Sequence, residues 1–279
     1  MGCICPKMKV ICPKIIANVE LHFTISSIRY KLLKCKSLKV TILTPKNGTT
    51  NTDKPDLVVA AGFSNNSFIG SASMIFNNIN NINNINNKFN KIIIINYFKY
   101  QYMQTKACKT RDKKKIKYPD DKIKIYQPEK KLNDIMAKKF DNMIRNKLNL
   151  NNVHLLGKCA GGGIMIHLLC NDKTGIYKAL YLAVPGNYFG VEKLLELDGD
   201  RLKQIRFVFS WTKQNIFKFH WGIESKDEKV HYDNKMELIE KEKNIILNYK
   251  SILENLPNTI PDEKLYHEIN QKLIDEICK

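Results

Sequence analysis

The stretch VHLLGKCAGGG, residues 153–163, decides how this sequence folds. Its first residues, Val153 to Leu156, form a short apolar run of the kind that makes a buried strand. The largely apolar stretch from Ala160 to Cys170 has the composition of a buried helix. The sequence therefore predicts a strand that turns directly into a helix, with Cys159 at the turn.

Small residues are what such a turn requires. A strand that enters a helix this abruptly holds its central residue in a strained conformation and needs small neighbours to avoid clashes. Gly157, Gly161 and Gly162 supply them. The side chain of Cys159 would then project at the helix N-terminus, where unpaired N–H groups and the helix dipole favour a thiolate and a developing oxyanion.

Short apolar runs alternate with helical patterns along the rest of the chain. The extended stretches VELHFTI and LKVTILT, within residues 19–44, predict an opening antiparallel pair of strands. Further strands are predicted at 57–63, 91–98, 153–156, 179–184, 205–222 and 244–249, and helices at 74–89, 129–148, 160–170, 236–242 and 261–278. This order predicts an α/β fold with a mostly parallel sheet and helices on both faces.

The domain organisation is simple. We expect one domain over residues 19–279, preceded by an extension over residues 1–18. The charged stretch KACKTRDKKKIKYPDDK predicts a polar insertion near residues 99–128. The Asn-rich tract at 77–90 carries isoleucines at three-residue steps, which favours a helix over a flexible loop.

The turn carries a family resemblance. Gly157-Lys158-Cys159-Ala160-Gly161-Gly162 resembles the nucleophile elbow, G-x-S-x-G, of α/β-hydrolases, with Cys in place of Ser. A Gly-x-Cys-x-Gly-Gly elbow is similar to that of the dienelactone-hydrolase branch, where the nucleophile is a cysteine. The order of strands and helices from about residue 20 onward resembles the same superfamily. The alternative is a nucleotide-binding or simple packing turn, but G-x-G-x-x-G and G-x-x-x-x-G-K-[ST] are absent.

The resemblance implies a set of site residues. The oxyanion hole would use the backbone N–H of Ala160 and that of Phe63 or Ser64. The acid should follow the penultimate strand, where Asp227 is the best candidate and Asp233 and Glu224 are alternatives.

The base should follow the last strand, in residues 250–260, and that stretch contains no histidine. Asn258 stands at the expected position, and an amide cannot accept and return a proton near neutrality. His231 or His267 could replace it as the base. His154, on a strand, and His167, on the elbow helix, are interpreted as structural histidines.

Two functions are favoured over a third, electrostatic binding to nucleic acid or to an acidic membrane, which rests on the net charge of +19 alone. The first is hydrolysis of an ester, thioester or lactone by Cys159 as nucleophile, on a small-molecule acyl substrate and with no cofactor. The second is a catalytically inactive hydrolase-fold protein that serves in binding or interaction, which the missing histidine favours.

Composition bounds the partners. Lys and Arg total 46 against 27 Asp and Glu, a net charge of +19, but the lysines are spread along the chain and Arg is scarce, which argues against nucleic acid. Gly2 and Cys3 suggest acylation, yet Pro6 departs from the myristoylation pattern, so no lipid anchor is expected. No apolar run reaches the roughly 18 residues that span a bilayer.

The eight cysteines are irregularly spaced. This spacing is typical of reduced thiols, so we expect a cytoplasmic location. It matches no zinc motif, and no metal site is expected.

Overall fold

A computed structural model describes residues 17–33, 36–46, 53–60, 75–76, 79–96, 121–158, 160–183, 191–212, 232–254 and 271–279. Its strands are β1 (Phe23–Leu33), β2 (Lys36–Pro45), β3 (Asp56–Ala60), β4 (Ile92–Asn96), β5 (Val153–Lys158), β6 (Tyr177–Ala183), β7 (Arg206–Thr212) and β8 (Asn248–Glu254). Its helices are α1 (Ile79–Lys88), α2 (Asp121–Asn146), α3 (Ala160–Cys170), α4 (Gly199–Lys203) and α5 (Tyr232–Lys243), with a 3-10 helix at Val191–Glu196. Residues 17–22 and 271–278 are also helical.

The eight strands form one sheet in the order β1-β2-β4-β3-β5-β6-β7-β8. Strand β2 is antiparallel to β1 and to β4, and every other neighbouring pair is parallel. The parallel strands are joined by crossover connections, and helices lie in these connections. The predicted α/β class with a mostly parallel sheet and an opening antiparallel pair is confirmed.

Both faces of the sheet are covered, which is why its central strands are apolar throughout. Alternate residues of β5 show this, because Leu155 belongs to one buried cluster and Leu156 to the other. The first cluster includes residues of α2, α3, α5 and the 3-10 helix. The second includes residues of α1 and of the helical segments 17–22 and 271–278. Helices therefore lie on both faces, as the sequence predicted.

Helix α1 forms although asparagine has a low helix propensity. Its residues Ile82 and Ile85 are fully buried against the sheet. Buried Asn81 exchanges two side-chain hydrogen bonds with Gln271, of 3.1 and 2.7 Å. Tertiary packing holds this Asn-rich helix, and the prediction of a helix is confirmed.

Several predicted boundaries are wrong. The stretch VELHFTI begins as a helix over residues 17–22, and only its end belongs to β1. Helix α2 begins at Asp121, inside the stretch predicted as a polar insertion. Strand β8 begins at Asn248 and not at Asn244, because Asn244 has a φ of 50° and terminates α5 in the left-handed region that asparagine tolerates.

Other predicted segments lie outside the described residues. These are residues 1–16 of the predicted extension, the Lys-rich stretch over 99–120, and the part of the strand region predicted over 205–222 that follows β7. Within the part of the chain that the structure describes, no helix is long and apolar enough to cross a membrane.

An ion-paired hub closes the edge of the sheet where β6 begins. The side chain of Asp172 is fully buried and accepts hydrogen bonds from Arg145 Nη2 at 2.7 Å and Arg201 Nη2 at 2.8 Å. It also accepts from the backbone N–H groups of Thr174, Gly175 and Tyr177, at 3.1, 2.9 and 3.1 Å. Burial by itself would raise the pKa of Asp172, but these donors outweigh it and lower the pKa. The carboxylate thus organises the turn that starts β6.

Asp172→Asn should lower the free energy of unfolding by about 3 kcal/mol at neutral pH, because Arg145 and Arg201 would lose the buried carboxylate that pairs them. Urea denaturation measures this, with Asp200→Asn as the control, since Asp200 is 89% exposed and pairs only with Lys203 at 3.4 Å. The pKa of Asp172 is lowered in the folded state, so its stabilisation is complete above about pH 4 and is lost as the pH falls through the folded pKa. The difference between wild type and variant should therefore narrow below about pH 4. Equal stability of the two variants at neutral pH would contradict this account.

Candidate functional site

The parallel strands end together at one edge of the sheet, here called the carboxyl edge. Gly157 of β5 is in register with Ala60 of β3, and Ala60 is in register with Ile95 of β4. Ligands of open α/β sheets bind outside the carboxyl ends of the strands. Cys159 follows β5 directly, so the chain delivers it to this edge.

Strand β5 and helix α3, on either side of Cys159, approach each other closely at Gly157. Strand β5 ends at Lys158 and α3 begins at Ala160, so a single residue separates them. A Cβ atom added to Gly157 would lie 2.6 Å from Gly162 Cα and 2.9 Å from Gly161 O. No side chain fits at that spacing. The predicted passage from strand to helix, with glycines where the two elements meet, is confirmed.

Gly157→Ala should lower the free energy of unfolding by about 1 to 3 kcal/mol, because the added methyl group meets rigid backbone. Gly199→Ala is the matched control. Its Cβ would meet the side-chain atom Cγ2 of Ile245 at 3.2 Å, a contact that rotation can relieve. Chemical denaturation of both variants tests this, and an equal effect of the two substitutions would contradict the tight contact.

Helix α3 favours negative charge at its N-terminus. Residues 161–169 are all buried, and the first turn contains no acidic side chain. The first N–H groups of a helix have no intrahelical acceptor and carry the positive end of the dipole. Helix α3 begins at the carboxyl edge, so the positive end of its dipole lies there.

The two histidines that flank the turn are structural, as predicted. His154 lies on β5, about 13 Å before its last residue, and its Nδ1 is 2.9 Å from Tyr181 Oη. Burial lowers the pKa of His154 to about 4.

His167 lies about 10 Å along α3 from Ala160, and its Nδ1 is 2.6 Å from Asp134 Oδ1. Burial lowers the pKa of His167, so its neutral ring donates to the carboxylate. Neither ring reaches the turn.

A charged cluster around the buried side chain of Lys193, next to His167, was not foreseen. The side chain of Lys193 is 8% exposed, and its Nζ lies 2.6 Å from Glu196 Oε2 and 3.5 Å from Asp134 Oδ1. Burial by itself would lower the pKa of Lys193, but Glu196 and Asp134 raise it. The cluster joins α2, α3 and the 3-10 helix. No sequence signal shows it, because a lysine in the stretch VEKLLE has the pattern of an exposed residue.

The remaining predicted site residues lie outside the described residues. These are Cys159, Phe63, Ser64, Asp227 and Asn258, together with the alternatives Glu224, His231 and His267. Along the chain, Phe63 and Ser64 follow β3, Asp227 follows β7 and Asn258 follows β8, and each of these strands ends at the carboxyl edge. The alternative acid Asp233 lies in the first turn of α5.

A groove of about 340 Å³ lies on the other side of the molecule. Its lining residues come from the ends of α1 and of the C-terminal helix, and they are Asn84, Asn87, Lys88, Asp275, Cys278 and Lys279. Helix α1 ends just before β4 begins, so this groove is at the amino end of the parallel strands, opposite the turn at Cys159. The described segments contain no cluster of His, Cys, Asp and Glu that could hold a metal ion.

The comparisons with known proteins identify the fold. Neither models of protein families nor curated proteins give a match in sequence. Among solved structures, the chain is similar to the LpqC poly(3-hydroxybutyrate) depolymerase from Bordetella parapertussis, with a TM-score of 0.53 and 13% identity over 93% of this chain and 91% of that one. It is similar to the enterobactin and salmochelin hydrolase IroE, with a TM-score of 0.52 and 12% identity over 92% and 96% of the two chains. It is also similar to a dienelactone hydrolase-like promiscuous phosphotriesterase from metagenomic libraries, with a TM-score of 0.51 and 9% identity over 92% of this chain and 98% of that one.

These similarities, the strand order and the covered sheet define an α/β-hydrolase fold. At such low identity the likeness concerns the fold alone. The chain thus has the fold of α/β-hydrolases.

Two described thiols provide an internal reference for reactivity. Burial raises the pKa of Cys170 to about 12 and that of Cys278 to about 11. Cys170 also donates its S–H to the carbonyl oxygen of Lys193, at 3.3 Å. Only the thiolate is nucleophilic, so both residues should be inert near neutrality.

Iodoacetamide at pH 8 should alkylate Cys170 and Cys278 at least about a hundredfold more slowly than an ordinary exposed thiol, because their thiolate fractions are that much smaller. Cys159, at a helix N-terminus, should react before both. Peptide mapping of the native protein measures the order. Faster labelling of Cys170, or of Cys108, than of Cys159 would refute an activated thiol at the turn.

Proposed function

We propose that this protein is a hydrolase of ester, thioester or lactone bonds with Cys159 as its nucleophile. The observation that carries the proposal is the contact of Gly157 with Gly161 and Gly162, which leaves a single residue between strand and helix. A tight strand-to-helix turn of this kind holds a nucleophile above the sheet in the α/β-hydrolase fold. Cys159 is the residue at that place in the chain.

The reaction follows from this placement. The thiolate of Cys159 attacks the carbonyl carbon, and the negative charge moves to the carbonyl oxygen. The backbone N–H of Ala160 and that of Phe63 or Ser64 bind this oxyanion. Collapse expels the alcohol or thiol, which takes up a proton, and leaves a thioester on Cys159. Attack of water on the thioester releases the carboxylic acid and regenerates the thiol.

The second half of the reaction needs a base, and here we propose a deficit. Asp227 would orient the base, but Asn258 stands at the position where the resemblance implies histidine. His154 and His167 are engaged with Tyr181 and Asp134 and lie about 10 Å or more from the turn. An amide can orient a thiol but does not activate water. Acylation should therefore be faster than deacylation.

A small activated ester should acylate the protein in one burst, followed by slow release. Intact-mass measurement and peptide mapping should locate the acyl group on Cys159. Cys159→Ala should abolish the burst, whereas Cys170→Ala and Cys278→Ala should preserve it, since the raised pKa of each half-buried thiol keeps it protonated near neutrality. A wild type that gives no acyl adduct would favour a catalytically inactive binding protein.

Asn258→His should raise steady-state turnover of the same ester by about a hundredfold, the scale of general-base catalysis. The matched control is Asn255→His, which places an imidazole elsewhere in the same connection. Adding Asp227→Asn to Asn258→His should remove most of the gain. Efficient turnover by the wild type would instead assign the base to His231 or His267.

A further inference from the structure

The hairpin of β1 and β2 is strongly cationic. The sequence contains no acidic residue between Glu20 and Asp53. The basic residues in this interval are Arg29, Lys31, Lys34, Lys36, Lys39 and Lys46. We call residues 28–33 of β1 together with residues 36–40 of β2 the basic ribbon. The hairpin therefore carries positive charge with no acidic residue in its own sequence to balance it.

Two like charges face each other across the ribbon. Arg29 is directly opposite Lys39 in the antiparallel ladder, and both residues are exposed. Like charges at directly opposite positions destabilise a ladder. Two exposed cations elsewhere in the described fold, Lys203 and Lys279, pair with the acidic residues Asp200 and Glu276. An external anion would remove the repulsion between Arg29 and Lys39.

The ribbon projects from the carboxyl edge. Val40 of β2 is in register with Ile95 of β4, which aligns through Ala60 with Gly157. Pairing of β2 with β4 stops at Lys39, opposite Asn96, whereas pairing of β1 with β2 continues to Lys36. Three further residues of β2 therefore extend about 10 Å beyond β4. Strand β2 lies three strand spacings from β5, about 15 Å. The projecting end of the ribbon therefore lies at the same edge of the sheet as the turn that follows β5.

We propose that the basic ribbon binds an anionic lipid surface and turns the carboxyl edge toward that surface. Charge complementarity carries the proposal, because clustered lysines bind anionic headgroups. Leucines at positions 32, 33 and 38 lie between the cations in the sequence, and a mixture of apolar and cationic residues favours a membrane interface. The inference goes beyond the proposed function, since binding requires no turnover.

Nucleic acid fits the ribbon less well. Sites for single-stranded nucleic acid combine cations with free aromatic faces for base stacking. The aromatic residue of the ribbon, Tyr30, is half-buried against the core, and its hydroxyl accepts a hydrogen bond from Asn142 Nδ2 at 2.5 Å. Arginine, the better fork for phosphates and bases, occurs once in the ribbon. Lysines on an edge strand also discourage pairing with other chains, a role that predicts no preference for any lipid.

The full chain should bind vesicles of phosphatidylcholine with phosphatidylserine, and salt should weaken this binding. It should not bind vesicles of phosphatidylcholine alone. Arg29→Gln with Lys39→Gln should reduce affinity by about twentyfold, since each cation near an anionic surface contributes about fivefold. Lys138→Gln with Lys139→Gln makes the same charge change at exposed positions of α2 and should change affinity by less than about twofold.

Thermal unfolding checks that the variants are folded, and the ribbon variant should be at least as stable as the wild type because the repulsion is gone. Lys31→Gln with Lys36→Gln provides a second ribbon variant with the same expected loss. Equal losses in the ribbon and α2 variants would assign binding to the overall charge and overturn the proposal. Tighter binding to single-stranded RNA than to anionic vesicles, or no vesicle binding by the wild type, would also overturn it.

Discussion

The contact between Gly157 and Gly162 is the constraint on which the rest of the structure depends. With only hydrogen at the Cα of Gly157, β5 comes so close to α3 that the helix starts after one intervening residue. Helix α3 can then be buried over residues 161–169. On its outer side it holds α2 through His167 and Asp134, and the 3-10 helix through Cys170 and Lys193. A bulkier residue at position 157 would move the helix away from the sheet and loosen each of these contacts.

The two edges of the sheet are built from different interactions. The amino edge is held by the carboxylate of Asp172, which ties Arg145 and Arg201 to the start of β6. The carboxyl edge is where the chain delivers Cys159 and where the basic ribbon projects.

The sequence was most informative where one local rule decides the structure. Three glycines around Cys159 and a short apolar run sufficed to predict β5, the turn and the bounds of α3. Boundaries failed where a local pattern had two solutions. The stretch VELHFTI, residues 19–25, alternates as a strand does, but its first residues belong to a helix, and that helix buries Val19. Asn244 precedes the apolar run of residues 245–247, which predicted a strand from Asn244, but its left-handed backbone ends α5 and β8 begins only at Asn248.

Tertiary partners account for what could not be predicted. Asp172 and Lys193 are buried charges with partners on other elements, Arg145 and Arg201 for Asp172 and Asp134 for Lys193, and no spacing along the chain indicates these partners. In the candidate site, the resemblance predicts that Phe63, Asp227 and Asn258 each follow a strand. It does not predict the distances among their side chains, because these distances depend on the tertiary structure. The missing histidine, in contrast, is visible in the sequence alone.

The central claim is that the turn after β5 activates the thiol of Cys159. The most direct test is a pH titration of thiolate absorbance in the native protein, compared with Cys159→Ser. The account predicts one thiol that titrates well below the usual value of about 8.5 and is lost in the variant, because the N-terminus of α3 stabilises its anion. A titration with no low-pKa thiol, or one that persists after Cys159→Ser, would contradict it.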